Sequence, residues 1–247
     1  MSQTRPLVSV VVPSYQQGPF LRATLESLAR QTYPRLEVLV RDNLSTDETP
    51  GILEEYAPRL ARVTREKDGG QSDAIARGFA EARGEILGWL NSDDLLMPDA
   101  VARAADAFRT EPPAGVVYGH CAQVDEDGQF LSYYHDIHPV TPEMLWNQGT
   151  FIGQPAAFFR RELYANVGGL DAALRYAMDW DLWCRMARAG ARFRLVEEVW
   201  AAARIHRRAK SLSGGRGRLK EILHVNRRYK TTRLPRAALG YFYGSYF

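Results

Sequence analysis

The sequence predicts an α/β fold, with a mostly parallel central sheet, helices on both faces and a mixed C-terminal extension. Two near-continuous apolar runs, Leu7 to Val12 and Leu36 to Val40, are too short for typical helices and rich in β-branched side chains. Strands buried on both faces read this way. Segments of helical spacing separate such runs, the signature of right-handed βαβ units. Beyond Phe108 the alternation loosens, and a turn at Asp125-Glu-Asp-Gly128 between two strand patterns marks an antiparallel hairpin.

Each element has its own signal. Pro13-Ser-Tyr-Gln-Gln-Gly-Pro19 breaks the first strand, and Phe20, Leu21, Leu25 and Leu28 then recur at helical spacing with Pro19 in the first turn. Asp42-Asn-Leu-Ser-Thr-Asp-Glu-Thr49 stops the second strand, with Ser45, Thr46 or Asp47 placed to cap a helix bearing Ile52, Leu53 and Tyr56. A third strand is expected over 61–65. Asp68-Gly-Gly-Gln-Ser-Asp73 turns into a helix whose face carries Ala74, Ile75, Gly78 and Phe79. The strand from Gly84 to Leu90 follows, then a helix over 100–108. Further strands are expected over 116–124, 129–134, 155–160 and 192–196, and helices over 179–189 and 218–230.

With 247 residues the chain can bury the core of one large α/β domain, and 25% charged residues describe an ordinary soluble protein. No apolar run approaches the ~20 residues that span a bilayer, and no signal-peptide pattern opens the sequence. Cys121 and Cys184 stand far apart without CxxC partners, so a reducing cytoplasm is the expected compartment. The net charge of +3 hides an asymmetry: residues 204–236 hold 12 Lys and Arg and one acid, Glu221. A basic segment on an acidic body suits an anionic partner.

The strand opened by Gly84 ends in Asn91-Ser92-Asp93-Asp94. Open α/β sheets bind ligands just outside the C-terminal ends of their strands. Clustered carboxylates there suit a hard divalent cation, and a cation there suits a diphosphate. A polar turn in which Ser92 or Asp93 caps the next helix explains the same residues.

Several segments now fit one pattern: Val11-Val-Pro-Ser-Tyr15, Asp42-Asn-Leu-Ser-Thr-Asp47, Asp68-Gly-Gly-Gln-Ser-Asp-Ala74 and Trp89-Leu-Asn-Ser-Asp-Asp94. Gln154-Pro-Ala-Ala-Phe-Phe-Arg160, Val167-Gly-Gly-Leu-Asp171 and Ala177-Met-Asp-Trp-Asp-Leu-Trp183 follow. In this order and spacing the chain resembles the family 2 glycosyltransferases, inverting sugar transferases with the GT-A fold, over roughly residues 7–210.

The resemblance implies a GT-A domain over 1–210, with a nucleotide-binding part to about 115 and an acceptor part over 116–210. Residues 211–247 remain as a basic helix and an aromatic tail. It implies that Pro13, Ser14 and Tyr15 border the nucleobase and ribose, and that Asp42 hydrogen-bonds the base with Asn43 beside it. Gly70 and Gln71, after Gly69, let the backbone approach the donor closely. Asn91, Ser92 and Asp93 occupy the family's Asp-x-Asp position, with Asn in place of the first carboxylate. Asp93 is the expected ligand of Mn²⁺ or Mg²⁺, and His206 an added metal or diphosphate ligand. Asp94 is expected to be structural.

Asp179 matches the family's general base, which accepts the proton of the acceptor hydroxyl as the bond to C1 forms. Its competing reading is a cap for its own helix, and Asp181 is the neighbour that could be mistaken for it. Arg207, Arg208 and Lys210 read either as a clamp for the leaving diphosphate or as solvated charge, and Trp146, Trp180, Trp183 and Trp200 as core, with Trp146 the best placed of them to touch the acceptor. The implied partners are a nucleotide-diphosphate sugar and a glycan, lipid-linked or small-molecule acceptor. The basic segment and Tyr241 to Phe247 suit peripheral contact with the inner face of the membrane, a homodimer contact, or packing on the domain. No nucleic-acid motif accompanies the charge. A nucleotidyltransferase would release pyrophosphate without needing Asp179, and a non-catalytic nucleotide-sugar-binding subunit would bind without turnover.

Overall fold

The computed structural model describes residues 5–134, 138–149, 151–207, 209–210 and 215–229. The sheet is built outward from β1 (Val8–Ser14), which is buried along its whole length. On one side it pairs in parallel with β2 (Leu36–Asp42), from Val8 opposite Leu36 to Ser14 opposite Asp42, and β3 (Arg62–Arg65) extends that edge. On its other side lies β4 (Ile86–Trp89), also parallel. Side chains alternate across the strand. Val8, Val10 and Val12 therefore meet α1 (Gly18–Ala29), α2 (Thr49–Tyr56) and α4 (Ala100–Thr110), while Val11 meets α3 (Gln71–Glu81) on the opposite face. Helix α3 lies so close that a Cβ on Gly78 would come within 2.5 Å of Val11 Cγ1.

The second half joins the same sheet. Strand β8 (Ala157–Arg160) runs antiparallel to β4 and to β6 (Ala114–Val124), and β9 (Arg192–Arg204) pairs in parallel with β6. Two short strands, β5 (Leu95–Leu96) on β9 and β7 (Phe130–Tyr133) on β6, complete nine strands among the described residues. The path β3-β2-β1-β4-β8-β6-β9-β5 puts the reversal of strand order between β1 and β4, the place where doubly wound sheets bind ligands. Helices α5 (Pro142–Gln148), α7 (Met178–Arg188) and α8 (Gly215–Arg228) contribute to the face of Val11, with α6 (Arg161–Asn166) following β8.

Strand β9 is the main difference from the sequence reading, which ended it at residue 196. Glu197 and Glu198 stand exposed mid-strand and break the apolar pattern, but the backbone passes through register shifts against β6 and continues with Trp200 and Ala201 buried. Those extra residues carry the chain to Arg204 and His206. The expected strand at residue 155 begins instead with a 3₁₀ turn, Gln154–Ala156, because Pro155 lacks the N–H a ladder needs. Among the described residues no helix is long and apolar enough to cross a membrane. Arg208, Lys230 and the aromatic tail lie outside the described residues.

Candidate active site

A cleft of about 470 Å³ opens at the C-terminal ends of β1 and β4. Pro13, Ser14, Tyr15, Asn43, Gly70, Gln71, Asn91, Ser92, Asp93 and Asp179 all line it. The loops after β1 and β2 are laced together. Gln16 N–H donates to Ser45 Oγ at 2.8 Å, and Gln16 Oε1 accepts the N–H groups of Thr46 and Asp47 at 3.2 Å. Gln16 and Leu44 hold left-handed backbone at φ 55° and 54°, a conformation non-glycine residues adopt only where surroundings impose it. Asp47, just before the cap residue Glu48, accepts the N–H of Thr49 at the start of α2 at 3.0 Å, and its other oxygen accepts the Gly18 N–H.

Asp42 is placed differently from a base-reading group. It is buried behind the cleft wall, where Ser45 donates its N–H at 3.0 Å and its hydroxyl, and Arg65 Nε donates at 3.0 Å. Asn43 does reach the cleft, and its Oδ1 accepts the Asp68 N–H. Gly70 adopts φ 115°, with open space where a side chain would stand. Asp73 serves this turn: its carboxylate accepts the Gly69 N–H at 2.8 Å, which with Arg77 holds it below the usual carboxylate range.

At the end of β4, a polar network fixes the Asn91 side chain. Its Oδ1 accepts from Gln71 Nε2 at 2.6 Å and its Nδ2 donates to Asp94 Oδ2 at 2.9 Å. Gln154 braces the strand end by donating to the Trp89 carbonyl, and Lys210 Nζ donates to Gln71 Oε1 at 2.6 Å. Asp94 is buried and accepts the Arg204 N–H at 3.0 Å; burial, then the neighbouring Asp93 charge, push its carboxyl well above the ordinary range. Asp93 faces the cleft, and His206, buried beneath Phe20, places Nε2 at 3.0 Å from Asp93 Oδ2.

This pair suits a divalent ion. At 3.0 Å the two groups contact each other directly, and an imidazole nitrogen and a carboxylate oxygen are both groups that would be able to hold such an ion. Among the described residues no group of three or more His, Cys, Asp and Glu side chains could cage a metal unaided. Two protein ligands leave positions for phosphate oxygens and water, the usual state of an ion bound together with a nucleotide. An imidazole ligand favours a transition metal such as Mn²⁺ over Mg²⁺.

Across the cleft, the first turn of α7 carries Asp179. Its Oδ1 accepts the Trp180 N–H at 2.7 Å, so it also serves its own helix. Burial raises its carboxyl above the usual range. Asp181 points away: fully buried, it pairs with Arg185 at 2.8 Å and Arg228 at 3.2 Å and accepts the Tyr229 hydroxyl. Lys210 lines the cleft, pushed down to about 8 by burial. Arg207 is exposed and outside the lining residues. Trp180, not Trp146, forms part of the wall, with its indole N–H held by the Leu145 carbonyl at 2.6 Å. Trp146 packs against the core around α7 instead.

The model of the family described as Glycosyl transferase family 2 matches residues 9–168. The chain belongs to glycosyltransferase family 2. It is 31% identical over 180 residues to a PGL/p-HBAD biosynthesis glycosyltransferase of Mycobacterium tuberculosis, covering 71% of this chain and 68% of that one. To the chondroitin synthase of Escherichia coli it is 29% identical over 187 residues, covering 75% of this chain and 27% of that protein. The chain spans 64% of an uncharacterized glycosyltransferase of Rickettsia typhi. Among solved structures, the mannosyltransferase PcManGT of Pyrobaculum calidifontis in complex with GDP-Man and Mn²⁺ aligns with TM-score 0.74 and 25% identity, over 97% of this chain and 70% of that one. S. aureus TarS 1-349 in complex with UDP-GlcNAc aligns with TM-score 0.74 and 20% identity, over 96% and 73%. The fold is that of the GT-A glycosyltransferases.

The sequence reading gave no site role to Gln154, Arg204, Arg175 or Arg218, all of which line the cleft. For Gln154 the signal was present, since it opens one of the segments that carry the family resemblance. Arg204 was hidden by the underestimated length of β9. Helix α8, which a boundary at residue 210 sets apart, lines the cleft with Arg218 and Ile222.

Proposed function

We propose that this chain moves a sugar from a nucleotide-diphosphate donor to an acceptor hydroxyl, with inversion at C1. One observation carries the reading: Asp93, with His206 bonded behind it, and the half-buried Asp179 line one cleft at the switch point of the sheet. The loops bearing Tyr15 and Asn43 would take the nucleoside, with the Tyr15 ring, 58% exposed, offering a stacking face. Asp93 and His206 would hold Mn²⁺ or Mg²⁺; when bound, the ion neutralises charge developing on the diphosphate. Asp179 accepts the acceptor proton during attack, and its raised pKa makes it a stronger base than an exposed carboxylate. Lys210 brings a cation to the cleft wall. Asp42 positions the Asn43 loop through Ser45 and Arg65.

The relatives named above, a chondroitin synthase among them, support a role in glycan synthesis. We include α8 in the catalytic unit because Arg218 and Ile222 reach the cleft. Its outer face carries Arg216, Lys220 and Arg227, all exposed, which suits an anionic membrane surface bearing the acceptor. A panel of nucleotide sugars, each with Mn²⁺, tests the donor assignment by thermal stabilisation. At least one donor should raise Tm only with metal present, and that donor should release its nucleoside diphosphate. If none does either, the transferase reading falls.

A further inference from the structure

Glu221 is the one acid among the 12 Lys and Arg of residues 204–236. Its carboxylate is taken up by backbone donors. From α8 its carboxylate reaches the segment before α7, where Oε1 accepts the Arg175 N–H at 2.9 Å. Its Oε2 accepts the N–H groups of Tyr176 at 2.7 Å and Ala177 at 3.1 Å. Three consecutive backbone donors, about 45 residues away in sequence, thus converge on one side chain. Asp179 stands two residues beyond the last of them. The negative charge also lies at the N-terminus of α7, the end that favours it. On the other side of the same segment, Ser72 Oγ donates to the Leu174 carbonyl, tying it to α3. The backbone that delivers Asp179 is therefore held from both sides.

We propose that Glu221 is a positioning residue, setting where the Asp179 carboxylate meets the acceptor hydroxyl. The inference rests on Asp179 being the general base. It makes α8 a working part of the reaction, although this helix lies beyond the residues matched by the family model. A displacement of about 1 Å at a reacting group costs on the order of 10²-fold in rate. Its carboxylate bonds none of Asp93, His206 or Asn91, which stand at the ends of β4 and β9.

The test compares Glu221→Ala and Glu221→Gln in the full chain, alone and combined with Asp179→Asn. The probe is the nucleotide sugar selected by the donor panel. Glu221→Ala should lower kcat about 10²-fold with donor KM unchanged, and should speed hydrogen exchange at the amides of residues 175–177. Glu221→Gln keeps one carbonyl oxygen to accept two of the three N–H groups, and should recover a large part of the rate. In the Asp179→Asn background, Glu221→Ala should cost no more than a few-fold, because both changes act on one group. Unchanged exchange at 175–177, a loss confined to donor KM, or the full loss repeated in the Asp179→Asn background would each overturn the proposal. A full rate in Asp179→Asn alone instead overturns the base assignment, which is a separate and visible outcome.

Discussion

His206 Nε2 stands 3.0 Å from Asp93 Oδ2, although 113 positions separate them in the chain. Asp93→Ala is expected to abolish Mn²⁺-dependent nucleotide binding in a chain that still unfolds cooperatively, because the buried residues of β4 pack without it. His206→Ala should weaken that binding at least about 10-fold. Calorimetric titration of nucleotide, with Mn²⁺ and then with EDTA, measures both. Metal-dependent affinity left intact in folded Asp93→Ala would move the ion elsewhere.

Asn91→Asp restores the family's acidic pattern but removes a donor. The new carboxylate would face Asp94 Oδ2, which now receives the Asn91 Nδ2 proton at 2.9 Å. Two carboxylates at that distance cannot both ionise without cost. The metal-free variant should lose about 1–3 kcal/mol, seen as a lower Tm, and Mn²⁺ with nucleotide should recover most of it. A variant as stable as wild type without metal would show that the Asn91 network is dispensable.

Asp179→Asn and Asp181→Asn should separate chemistry from folding. The first is expected to lose ~10²–10⁴-fold in turnover with donor binding spared. The second leaves Arg185 without its charge partner in a buried setting, and should cost on the order of 3 kcal/mol of stability while the folded fraction still turns over. Released nucleoside diphosphate and thermal melts, taken on the same samples, distinguish them. A stable, inactive Asp181→Asn beside an active Asp179→Asn would exchange their roles.

The raised pKa of Asp179 also fixes a sign. A base must be deprotonated, so the acidic limb of log kcat should lie above the range of an exposed carboxylate, ~3.9 for Asp. The folded state holds this proton to higher pH than the unfolded chain does. Stability is therefore lost as pH rises from the ordinary to the raised value, and stays lower above it. Asp179→Asn should then melt higher than wild type at pH 7 and together with it at pH 3. Equal melting at both would mean that burial does not strain this carboxylate.

If α8 meets an anionic surface, replacing Arg216, Lys220 and Arg227 with Glu should abolish co-sedimentation with acidic vesicles. Each cation near such a surface contributes about 1 kcal/mol, so even neutral replacements should weaken binding by ~10²-fold. Wild-type binding should fall steeply with salt. Equal sedimentation with neutral and acidic vesicles would remove the surface from the account.

The first half of the fold was legible because β1, β2 and β4 are short, buried on both faces and separated by clear helical spacing. The same continuity placed Asn91 and Asp93 at a strand end. Less was legible where local signal is small: β5 has two residues, and α5 and α6 have seven and six. Such elements form because neighbours hold them, and Leu95–Leu96 is a strand only because Ala201 and Ala202 of β9 lie beside it. Asp42 shows another limit. Its place in the pattern suggested contact with the base, whereas its environment depends on Arg65, whose approach no local spacing reveals. Glu221 was visible as the odd acid of a basic segment, but its target, about 45 positions earlier in the chain, was not.

The parallel pairing of β6 with β9 has a consequence during synthesis. Strand β6 ends at Val124, and its partner begins only at Arg192. Strands β7 and β8 emerge in the interval and pair with β6 in antiparallel fashion, but the border reserved for β9 stays open. It runs from Ala114 to Val124 and includes Val116, Val117 and Tyr118, all without solvent exposure once folded. Open apolar borders of this kind recruit strands from other chains. A ribosome that pauses before β9 emerges would therefore display a sticky margin, and slow translation through the preceding segment should favour aggregation over maturation.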